Sequence, residues 1–145
     1  VDVTEGLESL PEYQKAQEQL DKTATQWRQE IAQEQDKVKG LYSKYQAEQV
    51  LLSEEMKKQR EDEILNKEKE VREMQRQKFG PEGAQFKKRE ELVKPIQDKV
   101  YAAIQQFAED KGYEFVFDKG SASGMLYADK RNDKTEDIKT MLKKG

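Results

Sequence analysis

Apolar residues recur at heptad spacing through the first third of this chain, and no other feature restricts its fold as strongly. With Leu20 at position a, the a positions are Leu20, Trp27, Glu34, Leu41 and Glu48, and the d positions are Ala24, Ile31, Val38, Tyr45 and Leu52. A 3.5-residue period held this long describes a helix that meets a partner along a narrow seam. Two of the ten seam positions are glutamates. From residue 12 to 111 the sequence is charged and helix-forming almost without interruption. Such a segment has too little apolar surface to close into a compact ball. Of 145 residues, 39% are charged and 34% hydrophobic, whereas a compact domain has about a quarter charged and nearly half apolar. The same balance is found in disordered chains, but the ordered seam argues against disorder. A thin helical hairpin buries little surface per residue, so the missing core is expected from other subunits.

The charges are interleaved. The 27 basic and 30 acidic side chains leave a net charge of −3, and residues 54–79 alone carry eight of each sign. No stretch makes a basic stripe, so no nucleic-acid surface is expected. Glu18–Lys22, Glu54–Lys58, Glu63–Lys67 and Glu68–Arg72 have the favourable order for i,i+4 pairing, worth about 0.2–0.5 kcal/mol each; they read as solvated helix faces. There is no cysteine, which removes disulfides and thiolate metal sites and leaves the redox compartment open. No apolar run approaches the ~20 residues of a membrane span. The start, Val1-Asp2-Val3, is strand-like and abrupt, as after removal of a leader or of a few strand residues.

Local signals divide the chain further. Ser9-Leu10-Pro11-Glu12 has the form of a capping box, with Ser9 as cap and Pro11 in the first turn. The helix it starts is expected to run to about Leu52, roughly 60 Å at ~1.5 Å per residue, through a weak point at Gly40. Ser53-Glu54-Glu55 is a second helix start. A tight reversal at 51–53 then pairs residues whose numbers add to about 105. Leu41 faces Ile64, Ile31 faces Met74, Glu34 faces Val71, Trp27 lies beside Lys78 and Phe79, and Leu20 comes near Phe86. This predicts an αα-hairpin, with one continuous rod as the alternative. The arm-pairing residues are Leu20, Trp27, Ile31, Leu41, Ile64, Val71, Met74 and Phe79. Trp27 reads first as a buried knob and second as a client contact. Phe79-Gly80-Pro81-Glu82-Gly83 breaks the return arm, as an irregular turn or a hinge.

Beyond the break the apolar pattern thickens: Leu92, Val93, Ile96, Val100, Tyr101, Ala103, Ile104, Phe107 and Ala108. Pro95 is placed to bend this helix and Gly112 to end it. Tyr113–Asp118 reads as a strand, Lys119–Gly124 as a turn, and Met125–Ala128 as the hairpin partner, with Val1–Val3 as a candidate third strand. Asn132 or Asp133 caps a last helix through Ile138, Met141 and Leu142. The fold class is therefore mainly α with a small β component. Residues 11–91 form a helical-hairpin arm with its turn near 51–53 and a break at 79–83. Residues 1–10 and 92–145 form a β-containing body, and the whole is one domain.

The inventory for catalysis is thin. With neither histidine nor cysteine, most nucleophile–base pairs and most transition-metal sites are unavailable. Glu54/Glu55 and Glu90/Glu91 are adjacent on helices and read as solvated. Lys119–Gly124 lacks the spacing and the terminal Lys-Ser/Thr of a phosphate loop. No catalytic residue, cofactor or metal is expected.

Several local motifs in this order resemble the Skp/OmpH family of periplasmic chaperones. They are Ser9-Leu10-Pro11-Glu12-Tyr13, the Leu52-Ser53-Glu54-Glu55 tip, and Leu92-Val93-Lys94-Pro95-Ile96-Gln97-Asp98-Lys99-Val100. Gly112-Tyr113 through Phe117-Asp118, Leu126-Tyr127-Ala128-Asp129 and Asp137-Ile138 through Leu142-Lys143-Lys144 complete the set. The resemblance spans nearly the whole chain and implies a jellyfish-shaped homotrimer. Its body would be a small β-barrel-like assembly, and its helical hairpins would be tentacles around a cavity. It further implies an ATP-independent holdase for unfolded outer-membrane proteins, located in the periplasm. Many family members are basic; this chain is acidic, and no lipopolysaccharide site is assigned. Body packing and trimerisation are expected of Ile96, Val100, Ile104, Phe107, Tyr113, Phe115, Val116 and Phe117, while client contacts are diffuse. The competing reading is a structural or adaptor coiled coil, which needs no terminal strands. A prefoldin-like subunit would place its strands between the helices. An enzyme is disfavoured by the missing histidine and cysteine.

Overall fold

The computed structural model describes all 145 residues, Val1 to Gly145, and contains helices and connecting segments but no β-strand. The helices are α1 (Val3–Glu8), α2 (Pro11–Glu48), α3 (Glu54–Phe79), α4 (Ala84–Lys111) and α5 (Thr135–Lys144), with single 3-10 turns at Gln49–Leu51 and Lys130–Asn132. The chain divides into two compact units. Val1–Gln19 with Arg89–Gly145 make the first, and Leu20–Lys88 make the second.

In the second unit, α2 reverses into α3 and the two helices pair antiparallel. The seam is visible as burial. Leu20, Ala24, Ile31 and Tyr45 are buried, and Trp27, Glu34, Val38, Leu41, Glu48 and Leu52 are half-buried. On α3 the matching stripe is Lys57, Arg60, Ile64, Lys67, Val71, Met74 and Lys78, again buried or half-buried. Cross-helix contacts fix the register: Tyr45 donates to Glu61 at 2.6 Å, Arg60 pairs with Glu48, and the Trp27 and Phe79 rings meet edge-on at 6.2 Å. Glu34 pairs with Lys67, one turn away from Val71. At the reversal the Ser53 hydroxyl accepts from the N–H of Met56 at 3.2 Å, an N-cap that satisfies one orphan donor of α3. Gly40 leaves α2 unbroken.

The break after Phe79 is closely built. Gly80 N–H donates to the Arg76 carbonyl and Gly83 N–H to the Gly80 carbonyl, both at 2.9 Å. A β carbon on Gly80 would collide with the Arg76 carbonyl, and one on Gly83 would stand 2.9 Å from two carbonyl oxygens. Glu82 takes a positive φ of 58° between them, a conformation few side chains adopt.

In the first unit the core is Val3, Leu7, Leu10, Val100, Phe107, Ile138 and Leu142, with Ile96, Ala103, Ile104 and Met141 packed against it. Val100 is fully buried and Ile138 2% exposed; burying each side chain contributes about 1.5–3 kcal/mol. Gly6 is buried where α1 faces α4, and a β carbon there would stand in ordinary contact with Val100, at 3.8 Å. Pro95 sits inside α4 without ending the helix, and Gly112 at φ 76° follows its last turn.

Three elements differ from the sequence expectation. Val1–Val3 is not a strand: Asp2 caps α1 by accepting from the Glu5 N–H, and Val3 opens that helix. Its spacing Val3, Leu7, Leu10 is helical, and a three-residue window was too short to reveal it. Ser9 does not cap α2, because it is spent on α1, where its hydroxyl donates to the Gly6 carbonyl at 2.6 Å. Tyr113–Asp118 and Met125–Ala128 form no strand: Glu114 is a bend, and no backbone hydrogen bond joins the two segments. The only ladder-like contacts are Val1 N to Phe117 O at 3.0 Å and Lys119 N to Val1 O at 2.7 Å. Aromatic and β-branched residues favour extended backbone, but a strand exists only when a partner supplies the hydrogen bonds. Asp133 does act at the start of α5, accepting from the N–H of Thr135 at 3.1 Å.

Candidate functional surfaces

The first unit carries a concentrated apolar surface on the segments between α4 and α5. Leu126 is 99% exposed, Tyr127 80%, Phe115 76% and Phe117 62%. Phe115 and Phe117 stack with centroids 6.4 Å apart, as i and i+2 side chains of extended backbone do. They border a cavity of about 350 Å³ whose lining also includes Phe107, Tyr113, Met125 and Tyr127. Phe107 closes it from the core side, its ring 6.0 Å from that of Tyr113. Lys119 and Asp133, also in the lining, pair at 2.8 Å. Lys119 first, and the Thr135 hydroxyl second, hold the Asp133 carboxyl well below the ordinary range. Asp118 fixes the neighbouring turn by accepting from Gly120 N–H at 3.0 Å, Val3 N–H at 3.2 Å and the Ser121 hydroxyl at 2.8 Å.

The eight body residues anticipated from sequence therefore fall in two places. Val100 and Phe107 are buried in the core of the first unit, and Ile96 and Ile104 pack against it. Tyr113, Phe115, Val116 and Phe117 face outward. Sequence reasoning missed the α1 contribution of Val3, Leu7 and Leu10. It placed Leu126 and Tyr127 in a hairpin rather than on an open surface.

On the second unit the arm residues Leu20, Ile31, Ile64 and Val71 are buried, while Trp27, Leu41, Met74 and Phe79 are half-buried. Trp27 is not an enclosed knob. Lys78 lies over its ring at 4.7 Å and Arg28 over the Phe79 ring at 5.3 Å, so each ring of the pair carries one cation on its face. The seam glutamate Glu34 is held by Lys67 and by Lys37. Those two bonds, Lys67 first, lower its pKa from 4.5 to about 2. At the apex, Val50 is 90% and Leu51 83% exposed, and Met56 on the first turn of α3 is 47% exposed.

No group of acidic, histidine or cysteine side chains is placed to hold a metal ion, and no helix is long and apolar enough to cross a membrane. A family model described as "Outer membrane protein (OmpH-like)" matches residues 1–142. The chain belongs to this family, which is one of non-enzymatic chaperones. A comparison with curated proteins found no match.

Proposed function

We propose that this OmpH-like chain is an ATP-independent periplasmic holdase that works as a homotrimer. In this reading residues 1–10 and 92–145 form the trimerisation body, and residues 11–91 form the arm. Unfolded outer-membrane proteins are held between the arms of the three copies. The observation that carries the proposal is the uncovered apolar surface of Phe115, Phe117, Leu126 and Tyr127. Contiguous exposed apolar surface marks an interaction site, and here it lies on backbone with unspent hydrogen-bonding groups. A neighbouring copy satisfies both needs at once. Its own extended segments add strands, and its rings cover these rings, so the small β component expected from sequence belongs to the assembly. Tyr113 and Val116 join that interface, and Ile96, Val100, Ile104 and Phe107 support it from behind.

Holding needs no reactive group. Contacts spread over three arms raise the effective concentration of weak sites without any single strong one. Family membership supports the periplasmic location and the clients. The interleaved charge of the arms gives no basic stripe for nucleic acid.

Native mass spectrometry tests the proposal directly. The chain alone should appear as a trimer, and after dilution of a urea-unfolded outer-membrane protein as a trimer carrying one client. A dimer that leaves the client to aggregate would point to an adaptor coiled coil instead.

A further inference from the structure

We propose that the apex of the helical hairpin, Val50 and Leu51 with Met56, is a contact point for apolar side chains of unfolded polypeptide. The inference rests on the holding role proposed above and assigns it a location. Chain reversals ordinarily use Gly, Pro, Asn, Asp or Ser, yet this one reads Gln49-Val50-Leu51-Leu52-Ser53. Its closure does not use the two aliphatic side chains. Leu52 N–H donates to the Gln49 carbonyl, Lys57 N–H to the Ser53 carbonyl, and Ser53 caps α3 through its own hydroxyl. Val50 and Leu51 point into solvent at 90% and 83% exposure, so they add nothing to the hairpin's own core.

The surroundings select the occupant. Lys44, Lys57, Lys58 and Arg60 are matched by Glu48, Glu54, Glu55 and Glu61, and Glu54 and Glu48 are already paired with Lys57 and Arg60. Such a balance gives an anionic bilayer little to attract it. Docking of a second copy is disfavoured by area, since three side chains cover far less than the ~800 Å² per partner of a stable interface. An unfolded chain asks for less. Isolated apolar side chains can rest on a small unshaped patch, and the weakness of each contact is offset by repetition across arms.

The test places a photo-reactive diazirine side chain at position 51 of the full chain, with Gln35, an exposed polar position on α2, as control. Each form is illuminated alone, with phosphatidylglycerol/phosphatidylcholine vesicles, and with a urea-unfolded outer-membrane β-barrel protein diluted into it. The position-51 probe should label the unfolded protein several times more than the position-35 probe. The double variant V50S/L51S, with helical content and oligomeric state unchanged, should raise the apparent Kd for that protein by roughly threefold to tenfold. Preferential labelling of lipid or of another copy overturns the assignment, as does equal labelling at both positions with an unchanged Kd. If the unmodified chain fails to keep the unfolded protein in solution, the holding role falls and the apex assignment with it. If it holds that protein while position 51 labels no more than position 35, only the apex assignment falls.

Discussion

Glu34 is a charged residue at a position a heptad reserves for apolar side chains, and its neighbours make it tolerable. Lys67 reaches it across the hairpin and Lys37 from the next turn of its own helix. A polar group at a single seam position specifies register, at some loss of stability against an apolar residue. Because the carboxyl is lowered from 4.5 to about 2 on folding, its contribution is fully present above about pH 4.5 and fades as the pH falls through 2. Lys67, raised above 10.5 chiefly by Glu34, behaves in the opposite sense: its share is present at neutral pH and lost when the ammonium deprotonates. The melting-temperature gap between the natural chain and Glu34→Gln should therefore be constant near neutrality. It should close between pH 4.5 and 2, and narrow again at strongly alkaline pH. Circular dichroism melts across pH check this, and a gap that persists at pH 2 would separate Glu34 from the ion pair.

Two glycines show how the same residue type serves different elements. Gly40 sits in the middle of α2 with open space around its α carbon, so Gly40→Ala should stabilise the hairpin by about 0.5–1 kcal/mol. Gly80 ends α3 where a β carbon would meet the Arg76 carbonyl, and Gly80→Ala should destabilise it by about 1–3 kcal/mol. Urea melts of both variants distinguish these signs. A neutral Gly80→Ala would show that the 79–83 segment yields, as a hinge does.

The elements also show what pattern can and cannot reveal. The seam, the reversal and the break were legible because each is local: a heptad period, a capping serine, two glycines and a proline. The α1 helix was not, since Val1-Asp2-Val3 alternates like a strand and its helical spacing appears only when Leu7 and Leu10 are included. Tyr113–Phe117 and Leu126–Tyr127 read as a strand and its hairpin partner, and neither is a strand in the structure. Propensity describes one segment, whereas pairing depends on where a second segment lies. For the same reason Val100 and Phe115 looked alike in sequence, yet one is fully buried and the other 76% exposed.

At the scale of the whole molecule, the protomer presents aromatic surface that water should not be left to cover. The proposed trimer covers it, and Phe115→Asp isolates that role. The side chain is mostly exposed in the protomer, so the variant should keep its helices while losing assembly. A buried unpaired carboxylate at each of the three interfaces would cost several kcal/mol. Sedimentation should give a monomer with helical circular dichroism; an intact trimer would remove Phe115 from the interface.

The central claim is that unfolded outer-membrane proteins are held by the arms collectively. Light scattering of such a protein, diluted from urea into the chain, measures this most directly when the arm length is varied. Removing matched heptads from α2 and α3 on either side of Ser53 keeps the seam in register and leaves the residues of the first unit unchanged. The full-length chain is expected to suppress scattering at one trimer per client, and the shortened chain to lose most of that protection while remaining trimeric. Undiminished protection by a trimeric, shortened chain would contradict the account.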